Sequence, residues 1–240
     1  VCLDGFAPWR NIPYIETAIQ VNKMTPTTVC PICEKRKAER FCPAKGAQIC
    51  AVCCGTEREV TIDCPVDCGY LIAAHRYEVK HRKPLAISEI PFPDVEFSPD
   101  LIHEQGPVVS GLGFAILKAA AEVHSATDAD VLAALQALAE TYRTLGSGII
   151  YEKPPAGGPP QAIYAGLVKF LEEYKNAAAE RGGSARLKEN DVFHLLIFLL
   201  RVGRQQTNGR ARSQMFLEFL RSQFPKEAAT QQEAPRIIVP

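Results

Sequence analysis

Eight of the nine cysteines of this chain lie between Cys30 and Cys68, a window of 39 residues, and the ninth is Cys2. Thiols at that density are either paired as disulfides or gathered around metal, and the two outcomes dictate different folds. The first 25 residues, VCLDGFAPWRNIPYIETAIQVNKMT, hold no apolar run of signal-peptide length, so a secreted disulfide framework is not expected to follow them. The expected compartment is a reducing cytoplasm. An odd number of cysteines, with Cys53 and Cys54 adjacent, also fits thiolate ligation better than complete pairing. The first methionine, Met24, stands just before the cluster, and residues 1–23 read either as an extension or as a start assigned upstream of the true one.

The spacing is Cys30-x2-Cys33-x8-Cys42-x7-Cys50-x2-Cys53-Cys54-x9-Cys64-x3-Cys68-x6-His75. CPIC at 30–33 and CAVC at 50–53 are separated by 16 residues, inside the window typical of paired zinc knuckles. Two cysteines three apart on a tight turn present both sulfurs to one tetrahedral ion, and a second such pair completes it at about 2.3 Å. Cys30, Cys33, Cys50 and Cys53 are therefore the first candidate set. Cys42, Cys54, Cys64, Cys68 and His75 remain, and four of these five could build a second site interleaved with the first.

A surplus of thiolates argues against the open coordination position that catalytic zinc requires, so structural zinc, one ion or two, is the expected cofactor. A module this small has little core of its own, while structural zinc supplies about 10–16 kcal/mol of apparent folding free energy. CPIC also has the form of a glutaredoxin-type redox motif, but its flanks lack the βαβ pattern that such a motif needs. An iron–sulfur redox protein is the other metal-bound alternative.

Interleaving of this sort resembles the cross-brace of B-box and related treble-clef fingers, in which a later ligand set at a helix start closes the second zinc. In CPVDCGYLIAAHRYE, Cys64 and Cys68 precede a short helix carrying Leu71, Ile72 and Tyr77, which suits that role. A B-box offers its next ligand where this chain has Lys45, and Cys54 is the substitute. The second set is then Cys42, Cys54, Cys64 and Cys68, with His75 as an alternative ligand. The resemblance covers about 45 residues and implies a finger fold whose usual work is interaction or assembly. With the phrases ICAVCCGTERE and IDCPVDCGYLIAA, the whole chain is also similar to uncharacterised bacterial proteins that carry a cysteine-rich N-terminus and a helical remainder.

Charge separates the possible partners. The 27 basic residues balance 27 acidic ones, which excludes a global electrostatic grip on nucleic acid or anionic membrane. Residues 24–83 carry ten basic and seven acidic groups, a net +3. Two all-thiolate sites, at about −2 each, would bring that module to about −1. Nucleic-acid binding, the first alternative function, would then rest on a local patch such as EKRKAER or KHRK. Arg201, Arg204, Arg210 and Arg212 read as a solvated connection, with reception of an acidic partner or phosphate as the lesser reading.

Beyond residue 83 the chain changes character. Pro84, Pro91, Pro93 and Pro99 mark a semi-rigid linker over 84–100, and helical periodicity then runs to Phe224. Five helices are expected over 101–225: about Pro107–His124, from Thr127 to Gly146, about Gln161–Arg181, about Asn190–Gly203, and about Ala211–Phe224. Thr127 and Asp130 form a capping-box-like pair for the second. The fourth, VFHLLIFLL, is apolar nearly all round and should be the buried centre of a bundle. Residues 226–240 read as a mobile tail.

The longest apolar run, Leu195–Leu200, is far too short to span a bilayer. No P-loop, GxSxG or HExxH pattern occurs, and no enzyme active site is expected. The chain thus reads as mainly α: a zinc-bound cross-brace or treble-clef module at 24–83 followed by a five-helix domain. The expected function is protein interaction, as an adaptor or accessory subunit of a larger complex, with the finger presenting Ile32, Phe41 and Val52, or its helix, to the partner.

Overall fold

The computed structural model describes residues 29–224 except 97, 124, 147, 149–151 and 181–186. The N-terminal extension 1–23, with Cys2, and the tail 226–240 lie outside the described residues. Among those described, the protein is mainly helical, with one two-stranded sheet.

The cysteine-rich part begins with a knuckle turn in which the Cys30 N–H donates to Arg36 O (2.7 Å) and the Glu34 N–H to Cys30 O (2.8 Å). Strand β1 (Arg40–Cys42) pairs antiparallel with β2 (Ala47–Ile49), with Phe41 opposite Gln48. Gly46 closes the hairpin at φ +59°, where L side chains are disfavoured. Helix α1 (Ala51–Glu57) follows directly, and α2 (Gly69–Lys80) starts after Cys68. Cys30, Cys42, Ile49, Cys50, Cys53, Cys54 and Ile62 form a small core of their own, in which sulfur replaces most of the usual aliphatic bulk.

The helical part comprises α3 (Pro99–Glu104), α4 (Gly106–Glu122), α5 (Asp128–Gly146), α6 (Gly158–Glu180), α7 (Glu189–Gln206) and α8 (Met215–Gln223). That is six helices where the sequence reading has five. The extra one, α3, falls where the proline-rich linker was expected to end. Ser98 caps it by accepting from the Asp100 N–H (3.1 Å), and Pro99 occupies the first helical position, where its missing N–H costs nothing. Helix α6 likewise starts ahead of the expected Gln161, with Pro159 and Pro160 in its first turn, where their missing N–H groups cost nothing.

Helix α7 packs on α5, α4 on α6, and α5 on α6. The eight buried residues of α7, among them Leu195, Leu196, Ile197 and Leu200, make it the centre of the bundle. Its expected end at Gly203 is an interior position: a Cβ there would lie 2.8 Å from both Leu132 and Phe216, so the glycine permits close packing. Gly111 serves α4 in the same way, because the Phe170 ring lies where its Cβ would be. The bundle core takes no residue from 29–83.

The segment between the two parts is packed. Arg201 donates to the carbonyls of Pro91 and Val95 at 3.0 and 2.8 Å, and Phe92 packs edge-on against Phe193 with centroids 5.8 Å apart. No helix among the described residues is long and apolar enough to cross a membrane.

Candidate metal centre

Two short hydrogen-bonded turns bring the first cysteine set together. The sulfurs of Cys30, Cys33, Cys50 and Cys53 all lie within 4.8 Å of one another, and those of Cys33 and Cys50 are 3.9 Å apart. One tetrahedral ion with bonds of about 2.3 Å spaces its sulfurs at about 3.8 Å, so the set has the dimensions of a single four-thiolate site. Cys30, Cys50 and Cys53 are buried and Cys33 is partly exposed. None of the eight described cysteines is in a disulfide.

The backbone is arranged for thiolates. The Cys53 N–H donates to Cys50 Sγ at 3.3 Å. The N–H groups of Lys35 and Arg36 point at Cys33 and hold its thiol down at about 6. At Cys30, burial opposes ionisation, but the N–H groups of Cys50, Cys33 and Ile32 outweigh it and lower the thiol. Burial and the three neighbouring sulfurs push Cys53 up to about 12. Four sulfurs this close cannot all be anionic without a cation among them. The Arg36 guanidinium, set against Cys33 and Cys50, supplies only part of that charge from the rim.

The remaining cysteines lie near one another, with Cys64 in electrostatic reach of Cys42, Cys54 and Cys68. Cys42 and Cys54 are buried in the same small core, with Cys64 packed against it. Cys68 caps the start of α2 without engaging its sulfur in the cap. It lines a surface cavity together with Phe41 and Pro43, the two chain neighbours of Cys42. Arg40 of β1 lies over the Tyr70 ring of α2, 4.7 Å from its centroid, fastening the same two elements.

His75, the alternative ligand, is engaged elsewhere. It is buried, with Nδ1 2.9 Å from Glu218 Oε2 of α8 and Nε2 3.0 Å from Glu59 Oε1. The second contact is off-line for a hydrogen bond and is an ion pair. Burial alone would lower the imidazole, but the two carboxylates outweigh it and raise it to about 9. Glu59, itself only 3% exposed, also accepts from Asn208 Nδ2 at 2.9 Å. This Glu59–His75–Glu218 clamp, linking residues 143 apart in sequence, had no local signature in the chain.

The clamp belongs to a wider polar seam between the cysteine-rich and helical parts. Arg210 donates to the carbonyls of Gly55 (3.0 Å) and Arg58 (2.6 Å), and the Arg212 N–H donates to Glu59 O (2.8 Å). Arg82 bonds the Gln206 side chain and its backbone carbonyl. Of the four arginines read as a solvated connection, Arg201 and Arg210 thus have their guanidinium groups held within the fold, while the Arg212 side chain stays 44% exposed beside Asp63. The residues expected to face a partner are exposed: Ile32 at 38%, Phe41 at 53% and Val52 at 47%. No protein-family model, no curated protein and no solved structure matches the chain.

Proposed function

We propose that the chain is a zinc-binding protein-interaction module, acting as a non-enzymatic adaptor or accessory subunit in a reducing compartment. The observation that carries this reading is the Cys30/Cys33/Cys50/Cys53 set, whose sulfurs lie within 4.8 Å of one another, with the exposed apolar Ile32 and Val52 inside its two CxxC turns. Sulfur spacing of one tetrahedron's edge suits a single ion, whereas a multi-iron cluster spreads its cysteine ligands over several metal atoms. Four thiolates leave no open position for catalysis, which favours a structural ion. Zinc then replaces the aliphatic core that residues 29–83 lack, and the platform it stiffens displays Ile32, Phe41 and Val52.

Of the two basic patches on which nucleic-acid binding would rest, KHRK has its Arg82 guanidinium bonded to Gln206, which favours the interaction reading. The exposed Lys35 and the Lys37–Glu39 pair remain as the local basic patch. The test is recovery of bound protein by the full chain from its own cells, comparing wild type with the Ile32→Ser/Phe41→Ser/Val52→Ser variant. The variant should keep its zinc and helicity and lose the partner. Undiminished recovery, or tight DNA or RNA binding that falls steeply with salt and is abolished by neutralising Lys35, Arg36 and Lys37, would overturn the reading.

A further inference from the structure

We propose that Cys42, Cys54, Cys64 and Cys68 form a second metal site, taking a thiophilic divalent cation such as zinc and fastening the start of α2 to the β1–β2 hairpin. Cys53 and Cys54 are consecutive on α1, so their side chains leave the helix about 100° apart. With Cys53 committed to the first set, Cys54 is directed to a different place, and yet both are buried. Cys42 ends β1 in the same small core, and α1 packs against β1. Cys64 packs on that core, while Cys68 shares a cavity with Phe41 and Pro43, on either side of Cys42.

Cys64 lies within electrostatic reach of the other three. Burial pushes the Cys64 thiol up, and Cys68, Cys42 and Cys54 push it the same way, while the Glu59 N–H opposes them. That N–H aimed at sulfur repeats the pattern seen at Cys30 and Cys33. The group is more open than the first, since only the Cys30 set has all its sulfurs within 4.8 Å of one another among the described residues. The ion would draw in Cys64 and Cys68, the two partly exposed members. His75 does not compete for it, because both its nitrogens face carboxylates. All four ligands would bind as thiolates, releasing their protons to solvent.

The inference rests on the thiolate–metal reading of the first set for its choice of ion, and the two are separable by stoichiometry and by position. The reduced full chain is titrated with zinc against a chromophoric chelator, and the zinc-loaded protein is alkylated with iodoacetamide and mapped by mass spectrometry. Two equivalents are expected, with all eight cysteines from Cys30 to Cys68 protected. The Cys64→Ser/Cys68→Ser variant should lose one equivalent and expose Cys42 and Cys54 while the first set stays protected. One equivalent in the wild type, with Cys42, Cys54, Cys64 and Cys68 freely alkylated, overturns the second site alone; no binding at all overturns both. Should the variant fail to fold, the alkylation map of the wild type decides by itself.

Discussion

Asp128 is 1% exposed, and its buried oxygens are met by donors from a distant segment. It accepts from the Ser213 hydroxyl at 2.7 Å and from the N–H groups of Phe216 and Leu217, the first turn of α8, at 3.1 and 3.2 Å. It therefore caps a helix whose first-turn N–H groups lie 88 and 89 residues away in sequence. Asp128→Ala would remove that cap and leave buried donors unpartnered, effects worth roughly 0.5–2 and 1–3 kcal/mol respectively. Urea unfolding of the variant should show a loss of about 2–4 kcal/mol with little change in the m-value. His75 gives a prediction with a sign. Its pKa is raised from 6.5 to about 9, so it binds its proton more tightly folded than unfolded. Its contribution is complete below about pH 6.5 and is lost as pH rises through about 9. Stability measured across that range should fall more for wild type than for His75→Gln; parallel profiles would show that the clamp does not hold a charged imidazole.

At the scale of elements, what could be read in the chain is what short-range chemistry specifies. Thr127 and Asp130 form their reciprocal cap, with the Thr127 N–H 2.8 Å from Asp130 Oδ2, because both partners lie within four residues. The apolar wrap of α7 and the CPIC and CAVC pairs are local in the same sense. The His75 clamp and the Asp128 cap join distant segments, and nothing in their flanking sequence marks them. Helix ends went astray where tertiary packing overrides propensity. Gly203 reads as a terminator, yet α7 continues to Gln206 because the glycine is needed where Leu132 and Phe216 press against it. Gly203→Ala gains about 1 kcal/mol of helix propensity but overpacks this contact, which typically costs about 1–3 kcal/mol. Net destabilisation is expected by thermal unfolding, whereas a gain in Tm would show that the contact can relax.

Over the whole molecule, two cores of different chemistry meet across a polar seam. One is aliphatic and built by α4–α8, and the other is largely sulfur. Because the bundle core draws nothing from residues 29–83, Cys33→Ser should disorder the cysteine-rich part and leave far-UV helicity from α4–α8 largely intact. Collapse of all helicity in that variant would mean the seam of Arg210, Asn208 and His75 couples the two parts into one folding unit. The central claim is a zinc ion held by four thiolates at Cys30, Cys33, Cys50 and Cys53, and X-ray absorption at the zinc edge tests it most directly. The account predicts a first shell of four sulfurs at about 2.3 Å with no nitrogen or oxygen scatterer. A shell containing imidazole nitrogen or water oxygen, or a protein that carries iron in place of zinc, would contradict it.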